Sequence, residues 1–247
     1  ITNLRIAQEK YATFVISHIP DGVKTILDVG CGTGEIAKTL IDMGYQVDCV
    51  SPSPFLSKQV HELLGDASHI FECYYEQLQT ENRYDVILFS ESFQYVDLQK
   101  ALDTTIGFLT KGGHLLVSDF FQKDVEGKSV MGGGHKLTKF YDLIAQYPFE
   151  LVKDLDITEE TAPTTEIYDD ALQKAVHPVL DLVFEFLNDR YPVASKFLRW
   201  KYKKQMNKIN EKYFSAGRIS EDFRGFKSYR LFLYKKVDLK KAWQHDF

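Results

Sequence analysis

A glycine-rich segment that links a predicted strand to a predicted helix constrains this chain more than any other feature. The apolar run 25–29 has the composition of a buried parallel strand. It continues through Asp28-Val29-Gly30-Cys31-Gly32-Thr33-Gly34 into a helix predicted for residues 35–43. Glycines let the backbone turn tightly and approach a ligand closely, and the helix N-terminus offers unpaired N–H groups and a positive dipole. The segment therefore predicts a site for a ligand with a carboxylate or a phosphate.

Two other interpretations of this segment are weaker. A glycine-rich turn that binds nothing is disfavoured, because the motif occurs together with the strand and helix pattern of a complete sheet. A nicotinamide dinucleotide site requires Gly-x-Gly-x-x-Gly and an acid about 20 residues further on. Here Glu35 stands in place of the third glycine, and Ser51 stands in place of the acid at the end of the second strand. The dinucleotide interpretation therefore fails at two positions.

Strands and helices alternate over residues 25–157, which predicts a parallel, doubly wound α/β sheet with right-handed crossovers. After Thr158 apolar residues recur at helical spacing, and the strand pattern returns at 229–234. We therefore expect a core of residues 1–163 and 226–236, a helical lid inserted at 164–225, and a C-terminal tail at 237–247. The other predicted strands are 46–50, 69–75, 84–89, 114–121 and 149–157, and the other predicted helices are 4–19, 55–64, 98–109 and 137–145.

Charge and cysteine content narrow the classes of partner and ligand. The net charge of −5 argues against bulk electrostatic capture of nucleic acid. Cys31, Cys49 and Cys73 are widely spaced, which argues against a disulfide framework or a metal site and fits a reducing cytoplasm. No apolar run approaches the roughly 20 residues that span a bilayer, and the first residues lack a signal-peptide pattern. We therefore expect a cytoplasmic globular protein without a metal ion.

Several segments of the sequence resemble the class I S-adenosylmethionine-dependent methyltransferases. The run Ile26-Leu27-Asp28-Val29-Gly30-Cys31-Gly32-Thr33-Gly34 is similar to motif I of this family. The resemblance covers most of residues 20–160 and 226–236, and it implies a Rossmann-like, seven-stranded, mostly parallel sheet whose last strand is antiparallel. It also implies that S-adenosylmethionine binds at the carboxyl ends of the first strands and leaves as S-adenosylhomocysteine. Three further runs resemble the fourth strand, the glycine turn with the fifth strand, and the closing strand: Tyr84-Asp85-Val86-Ile87-Leu88-Phe89-Ser90, Lys111-Gly112-Gly113-His114-Leu115-Leu116-Val117-Ser118-Asp119 and Tyr229-Arg230-Leu231-Phe232-Leu233-Tyr234-Lys235.

The same resemblance assigns contacts to the cofactor. Asp28 and the glycine loop would hold its methionine part, and the end of the third strand would read its adenine. Many family members end the second strand with an acid that binds the ribose hydroxyls, and Ser51 occupies that position here, so Ser51 and Ser53 are the expected substitutes. The predicted cofactor-binding residues are Asp28, Gly30, Cys31, Gly32, Gly34, Ser51, Ser53, Tyr75, Glu76 and Ser90.

The segment after the fourth strand indicates where the methyl acceptor would bind. Ser90-Glu91-Ser92-Phe93-Gln94-Tyr95-Val96 resembles the Glu-Ser-x-x-His-like segment of small-molecule, sterol and tocopherol methyltransferases. Glu91 is either a functional carboxylate near the sulfonium or a residue that only positions this loop. Tyr95 and His135 are the other catalytic candidates, since histidine titrates near working pH. The plainer alternatives are packing for Tyr95 and an ordinary surface loop for His135.

The predicted lid carries aromatic residues and a basic stripe. Aromatic side chains suit an apolar or aromatic substrate and exclude water, although ordinary helix packing accounts for most of them individually. Lys201, Lys204, Lys208 and Lys212 recur at helical spacing. Such a stripe is typical of a solvated helix face, and the alternative is a docking site for an acidic partner, such as a carrier protein, or for an anionic membrane surface.

These observations predict an enzyme that transfers a methyl group to a small, partly apolar or aromatic molecule by in-line displacement, in which alignment supplies much of the rate. The alternatives are a methyltransferase that acts on a protein or nucleic acid, and a regulatory module that binds the cofactor without turnover. The negative charge and the predicted lid favour a small substrate. The absence of an Asn/Asp-Pro-Pro-Tyr/Phe segment after the fourth strand weakens amino-methylation of nucleic acid. The sequence leaves the acceptor atom and the oligomeric state open.

Overall fold

A computed structural model describes residues 2–127, 129, 132–171, 182, 186–188, 190–192, 201–204 and 219–238. The contacts of the chain divide it into two compact units. The first unit consists of Ile1–Asp124, Gly133–Ile157 and Ser228–Phe247. The second unit consists of Val125–Gly132 and Thr158–Lys227.

The first unit is built on a seven-stranded sheet. Its strands are β1 (Thr25–Val29), β2 (Gln46–Val50), β3 (Ile70–Phe71), β4 (Tyr84–Ser90), β5 (Leu109–Gln122), β6 (Phe149–Asp156) and β7 (Lys227–Lys236). The strand order is β3-β2-β1-β4-β5-β7-β6, in which β1 to β5 pair in parallel and β6 pairs antiparallel with β7. The order reverses between β1 and β4, the position where open α/β sheets bind ligands. This topology confirms the predicted Rossmann-like fold.

Five helices lie in the described part of the first unit, and two of them begin at residues with capping side chains. The Ser53 hydroxyl accepts a hydrogen bond from Leu56 N at 3.4 Å, and Asp97 Oδ1 accepts one from Lys100 N at 3.0 Å. Each side chain satisfies one of the backbone donors that a helix start leaves unpaired. The helices are α1 (Thr2–Ile16), α2 (Glu35–Asp42), α3 (Pro54–Leu64), α4 (Leu98–Phe108) and α5 (Leu137–Ile144).

The two faces of the sheet carry separate apolar clusters, because successive side chains of a strand point to opposite faces. One cluster contains Leu27 and Val29 of β1 together with residues of α4 and α5. The other contains Ile26 of β1 together with residues of α1, α2 and α3. Helices therefore cover both faces of the sheet. By the same alternation, Asp28 lies on the face of Ile26, which is the face that α2 and α3 cover.

Two local predictions differ from the structure. The third strand is limited to Ile70–Phe71, because a hydrogen bond of 3.0 Å from Cys73 N to Phe71 O turns the chain and a 3₁₀ turn follows at Tyr75–Gln77. The turn predicted at residues 111–113 lies within β5, where the pairing with β4 shifts register near its start. Gly112 has a φ of 74° there, so the glycines form an irregularity in the strand instead of ending it.

Two helices of the second unit, α6 (Thr158–Ala171) and α7 (Ile219–Phe226), pack against each other. Glu159 and Arg224 form an ion pair of 2.9 Å between these helices. The predicted lid of residues 164–225 falls largely outside the described residues. Within the part of the chain that the structure describes, no helix combines the length and the apolarity needed to cross a bilayer.

Candidate active site

The glycine loop after β1 adopts a backbone that only glycine accommodates without strain. Gly30, Gly32 and Gly34 have φ values of 72°, 57° and 88°, which L-residues with a Cβ rarely adopt. A Cβ on Gly30 would lie 2.5 Å from the Ser92 Cβ, so this glycine also permits close contact with the loop after β4. A Cβ on Gly32 would meet no described atom within 4 Å. The loop therefore borders open space at Gly32, next to the N-terminus of α2.

The Asp28 side chain is an unsatisfied acceptor beside this loop. Its exposed fraction is 2%, and its Oδ2 atom has no hydrogen-bond partner among the described residues. Burial raises the pKa of its carboxyl to about 7. A buried carboxylate without a donor destabilises a protein, so the site lacks a group that donates hydrogen bonds or carries positive charge.

The chemistry of these groups fits the methionine end of S-adenosylmethionine, the cofactor that the resemblance implies. An α-ammonium group would satisfy Asp28, and the N-terminus of α2 with the loop N–H groups suits an α-carboxylate. The opening at Gly32 leaves room for a ligand close to the backbone. Cys31, which lies between these glycines, is a partly buried free thiol. The residues present therefore fit the expected group.

The two serines after β2 are held in place by local hydrogen bonds. Ser51 is buried, and its backbone N donates to Phe71 O at 3.1 Å. The Ser51 hydroxyl accepts from Ser53 N at 3.4 Å, whereas the Ser53 hydroxyl caps α3. Because the Ser53 hydroxyl accepts the cap bond, it keeps its own proton for another acceptor. Both serines remain predicted ribose contacts.

The predicted adenine contacts after β3 are less available than expected. The Tyr75 side chain lies in the apolar core, where its hydroxyl makes a 2.9 Å hydrogen bond with Thr105 and its ring packs edge-on against Phe89. A contact from Tyr75 to a ligand would therefore come from its backbone. The Glu76 Oε1 accepts from Asp97 N at 2.8 Å, so Glu76 joins this segment to the start of α4.

The loop after β4 lies directly against the glycine loop and contains a strained residue. The Ser92 hydroxyl donates to Val29 O at 2.5 Å, and Glu91 N donates to Ser118 O at 2.8 Å. Glu91 has a φ of 57°, and it is the one non-glycine residue with a positive φ in the described part of the chain. Strain of this kind persists only where surrounding contacts enforce it, and it occurs often at functional sites.

Tyrosines from the two ends of the sequence enforce this arrangement. The Tyr229 hydroxyl of β7 lies 2.9 Å from the Glu91 Oε1 and 3.1 Å from the Tyr11 hydroxyl of α1. The Tyr11 hydroxyl in turn lies 3.2 Å from the Ser90 hydroxyl and 2.9 Å from the Ser118 hydroxyl. Both tyrosines fall within predicted secondary structure, and the sequence alone assigns them no functional role. The signal that could have identified them is chemical: a buried tyrosine hydroxyl requires a hydrogen-bond partner.

A third residue that the sequence did not indicate is Asp119 of β5, which fixes the other end of the same loop. Its carboxylate accepts from Gln94 N at 2.9 Å and from Gln94 Nε2 at 3.2 Å. Burial raises the pKa of this carboxyl to about 7, and the Glu91 charge adds to the increase. Asp119 therefore holds the loop in either protonation state, because its two carboxyl oxygens accept the hydrogen bonds from Gln94.

The two other catalytic candidates differ in accessibility. Tyr95 is 80% exposed, and it is the last residue of the 3₁₀ turn Phe93–Tyr95 on the same loop. His135 is half-buried, its Nε2–H donates to Phe93 O at 3.0 Å, and its ring lies edge-on to the Phe93 ring. This hydrogen bond leaves Nδ1 as the acceptor nitrogen of the neutral ring. Glu91 and Tyr95 thus lie on one loop, and His135 is hydrogen-bonded to Phe93 of that loop.

The predicted basic stripe is described only in part. Lys201 and Lys204 are exposed, whereas Lys208 and Lys212 lie outside the described residues. Among the residues with a described placement, no group of three or more His, Cys, Asp or Glu side chains is arranged to hold a metal ion.

Comparison with known protein families agrees with the geometry. The family model for a methyltransferase domain matches residues 5–226, which is most of the chain. A curated relative, the malonyl-acyl-carrier-protein O-methyltransferase of Anoxybacillus flavithermus, is 32% identical over 120 residues. That alignment covers 46% of this chain and 45% of the relative, so the chain matches less than half of the relative's length.

Solved structures share the fold over almost the whole chain. The StiE O-methyltransferase has a TM-score of 0.64 and 18% identity, and the match covers 96% of this chain and 76% of that structure. The geranyl diphosphate C-methyltransferase of Streptomyces coelicolor, solved with Mg²⁺, geranyl diphosphate and S-adenosylhomocysteine, has a TM-score of 0.63 and 16% identity. That match covers 93% of this chain and 81% of the structure. At these identities the likeness concerns the fold alone.

Proposed function

Since the chain belongs to the methyltransferase domain family, whose methyl donor is S-adenosylmethionine, we propose that it methylates a small, partly apolar or aromatic molecule. The observation that carries this proposal is the buried Asp28 carboxylate beside an open glycine loop. An enzyme that binds S-adenosylmethionine needs both an acceptor for the ammonium group and backbone N–H groups for the carboxylate. Asp28 would be the acceptor, and the carboxylate would be bound by loop N–H groups other than those of Gly30 and Gly34, which donate to Val50 O and Cys31 O.

The residues after β4 orient the acceptor. When bound, S-adenosylmethionine supplies a methyl group on a positively charged sulfur, which makes that methyl group electrophilic. The chain aligns the methyl acceptor with the methyl group. Ser92 contacts Val29 and Gly30, and this contact fixes the loop after β4, which would bind the acceptor, against the glycine loop after β1. Exposed Tyr95 offers an aromatic surface to an apolar substrate.

Proton removal is required only for an acceptor that is protonated and weakly acidic. For such a substrate, Glu91 is the first candidate base, because its carboxylate lies on the loop after β4 and accepts a hydrogen bond from Tyr229. The Nδ1 atom of His135 is the second candidate. For a carboxylate acceptor, which is ionised at neutral pH, neither residue needs to remove a proton.

An acyl group attached to a carrier protein is one specific acceptor within this proposal. The curated relative named above acts on malonyl-acyl-carrier protein by its name. Exposed Lys201 and Lys204 would suit the acidic surface of such a carrier. Free carboxylic acids and phenols are the other members of the substrate class.

The test is turnover of methyl-labelled S-adenosylmethionine by the full chain with a panel of acceptors. The panel contains small carboxylic acids, phenols, malonyl-acyl-carrier protein, RNA and an unrelated protein. We expect labelled methyl in a small molecule or in the acyl group, with one S-adenosylhomocysteine formed per methyl. Label in RNA or in the unrelated protein would instead support a macromolecular substrate. Binding of the cofactor without label in any acceptor would support a regulatory module.

We also propose that the predicted lid is the part of the chain that changes when the substrate binds. We expect hydrogen exchange in α6 and α7 to slow when S-adenosylhomocysteine and an acceptor bind together. The strands β1 and β4 serve as the internal reference for global stability. Exchange in α6 and α7 that matches these strands and ignores both ligands would contradict a lid.

A further inference from the structure

The Glu91 carboxylate is fixed by an organised set of hydroxyl groups, although the residue itself is exposed. Tyr229 has one phenolic proton, and the Glu91 Oε1 at 2.9 Å is the strongest acceptor near it, because hydrogen bonds to ionised groups are the stronger ones. The Tyr11 hydroxyl lies 3.1 Å from the Tyr229 oxygen and 2.9 Å from the Ser118 hydroxyl. Tyr11 can donate to either of these while it accepts from Ser90 at 3.2 Å.

These groups come from four separate elements of the first unit. Tyr11 lies on α1, Ser90 at the end of β4, Ser118 on β5 and Tyr229 on β7. Burial raises the pKa of both tyrosines above the ordinary tyrosine value, and the Glu91 charge adds to it in each case. Both hydroxyls therefore remain protonated and able to donate near neutral pH. The hydroxyl set has the chemistry to stabilise a negative charge on Glu91.

The charge of Glu91 distinguishes the two ligands of the proposed reaction. The methyl donor carries a positive sulfonium, whereas the demethylated product has a neutral thioether in the same place. A carboxylate near this sulfur attracts the first ligand and is indifferent to the second. Glu91 is followed by Ser92, which contacts both Val29 and Gly30 of the cofactor loop.

Resting on the proposed function, we infer that Tyr11 and Tyr229 are positioning residues that hold Glu91 beside the cofactor sulfur, so that the site favours the charged methyl donor over its neutral product. This selectivity assists release of the product after each transfer. The positive φ of 57° at Glu91 accompanies the 2.9 Å hydrogen bond that the Tyr229 hydroxyl donates to its carboxylate.

The test compares the dissociation constants of S-adenosylmethionine and S-adenosylhomocysteine by calorimetric titration of the full chain. The measured quantity is their ratio, product over donor. For Glu91→Gln, which keeps the shape and removes the charge, we expect this ratio to fall roughly fivefold, or about 1 kcal/mol, as for an exposed ion pair. Glu91→Asp, which keeps the charge, should retain part of the ratio. Since both ligands titrate the same preparation, a partly unfolded variant changes the stoichiometry and leaves the ratio intact.

The tyrosine variants separate positioning from general stability. Tyr229→Phe and Tyr11→Phe should lower the ratio about twofold to threefold, because the carboxylate loses its support. Tyr84→Phe is the matched control, since the Tyr84 hydroxyl also makes a phenol–carboxylate hydrogen bond, to Asp48 at 2.7 Å, but at the start of β4. We expect Tyr84→Phe to leave the ratio unchanged.

Two outcomes would overturn the inference while the proposed function stands. In one, Glu91→Gln weakens both ligands equally or neither of them. In the other, Tyr229→Phe and Tyr84→Phe change the ratio to the same extent. Failure of the unaltered chain to bind either ligand would instead contradict the proposed function itself. If a tyrosine variant does not fold, the Gln and Asp variants of Glu91 still decide whether the charge selects the donor.

Discussion

Two loops at the same edge of the sheet each contain a residue with the same positive φ, but different forces hold the two residues at this angle. Gly32 in the loop after β1 and Glu91 in the loop after β4 both have a φ of 57°. Glycine adopts this angle without strain, whereas a residue with a Cβ is held there at a cost of roughly 1–2 kcal/mol. The first loop is thus shaped by local sequence, and the second by hydrogen bonds from distant parts of the chain.

The difference matters for function because the loops meet different needs. The loop after β1 borders open space and the Asp28 Oδ2 atom, which has no hydrogen-bond partner among the described residues, so its shape and chemistry suit a ligand. The loop after β4 is instead fixed by hydrogen bonds to the rest of the fold, from Ser92 to Val29 and from Tyr229 to Glu91. In the proposed enzyme the first loop would bind the cofactor, and the second would present the Glu91 carboxylate held by Tyr229.

The largest expected effect is loss of cofactor binding when a side chain enters the open loop. Gly32→Val should weaken S-adenosylhomocysteine binding by at least roughly 100-fold, since the side chain occupies ligand space and the φ of 57° strains it. Gly65→Val is the control, because Gly65 has a φ of 54° and its Cβ would also meet no described atom within 4 Å. Thermal melts check that both variants fold, and only Gly32→Val should lose binding. Equal affinity in both variants would place the cofactor elsewhere.

A smaller effect is expected from the buried carboxylate beside the same loop. Asp28→Asn should weaken S-adenosylhomocysteine binding by about 10-fold to 100-fold, because the hydrogen bond to the ammonium group loses its charge. Asp21→Asn, at an exposed position, should leave binding unchanged. An affinity within twofold of the unaltered chain would remove Asp28 from the site.

The same carboxylate predicts a pH dependence of stability without ligand. Burial raises the Asp28 pKa from 3.8 to about 7, so its contribution to stability is complete below pH 3.8 and is lost as pH rises through 7. Asp28→Asn should therefore be more stable than the unaltered chain at pH 8, by on the order of 4 kcal/mol, and similar to it near pH 4. Denaturant melts across this range measure the difference. A difference that does not change with pH would contradict the raised pKa.

The smallest effect concerns the strained backbone after β4. Glu91→Ala removes the contact with Tyr229 and keeps the Cβ, whereas Glu91→Gly removes both, so the glycine variant should be the more stable by about 1 kcal/mol. At exposed Lys58 within α3 the order should reverse, with alanine more stable than glycine by about 1 kcal/mol. Thermal melts of the two pairs compare the signs. If alanine is the more stable residue at both positions, Glu91 is not strained in solution.

The contrast between the loops also explains what the sequence predicted. The motif after β1 is contiguous, so its strand, its tight glycine turn and its helix were all predicted from neighbouring residues. The alternation of strands and helices predicted a parallel, doubly wound sheet in the same local way. The predicted third strand is too long, because the chain turns at Cys73 through a backbone hydrogen bond, which the residue types there do not indicate.

The support of Glu91 was beyond such a prediction. Its partner Tyr229 lies 138 positions away, and Tyr11 and Ser90 are 79 positions apart. Only the folded sheet brings these side chains together. Likewise, Tyr75 was predicted from its position after the third strand, but its side chain packs inward against Phe89, and sequence alone does not give this direction.

Titration of the unaltered full chain with S-adenosylhomocysteine tests most directly whether the loop after β1 is a cofactor site. We expect one molecule to bind per chain, with heat that disappears in Gly32→Val and persists in Gly65→Val. At about 100 times the dissociation constant, the ligand should also stabilise the fold by roughly 2.7 kcal/mol in a thermal or denaturant melt. Absence of both heat and stabilisation in the unaltered chain would contradict the account.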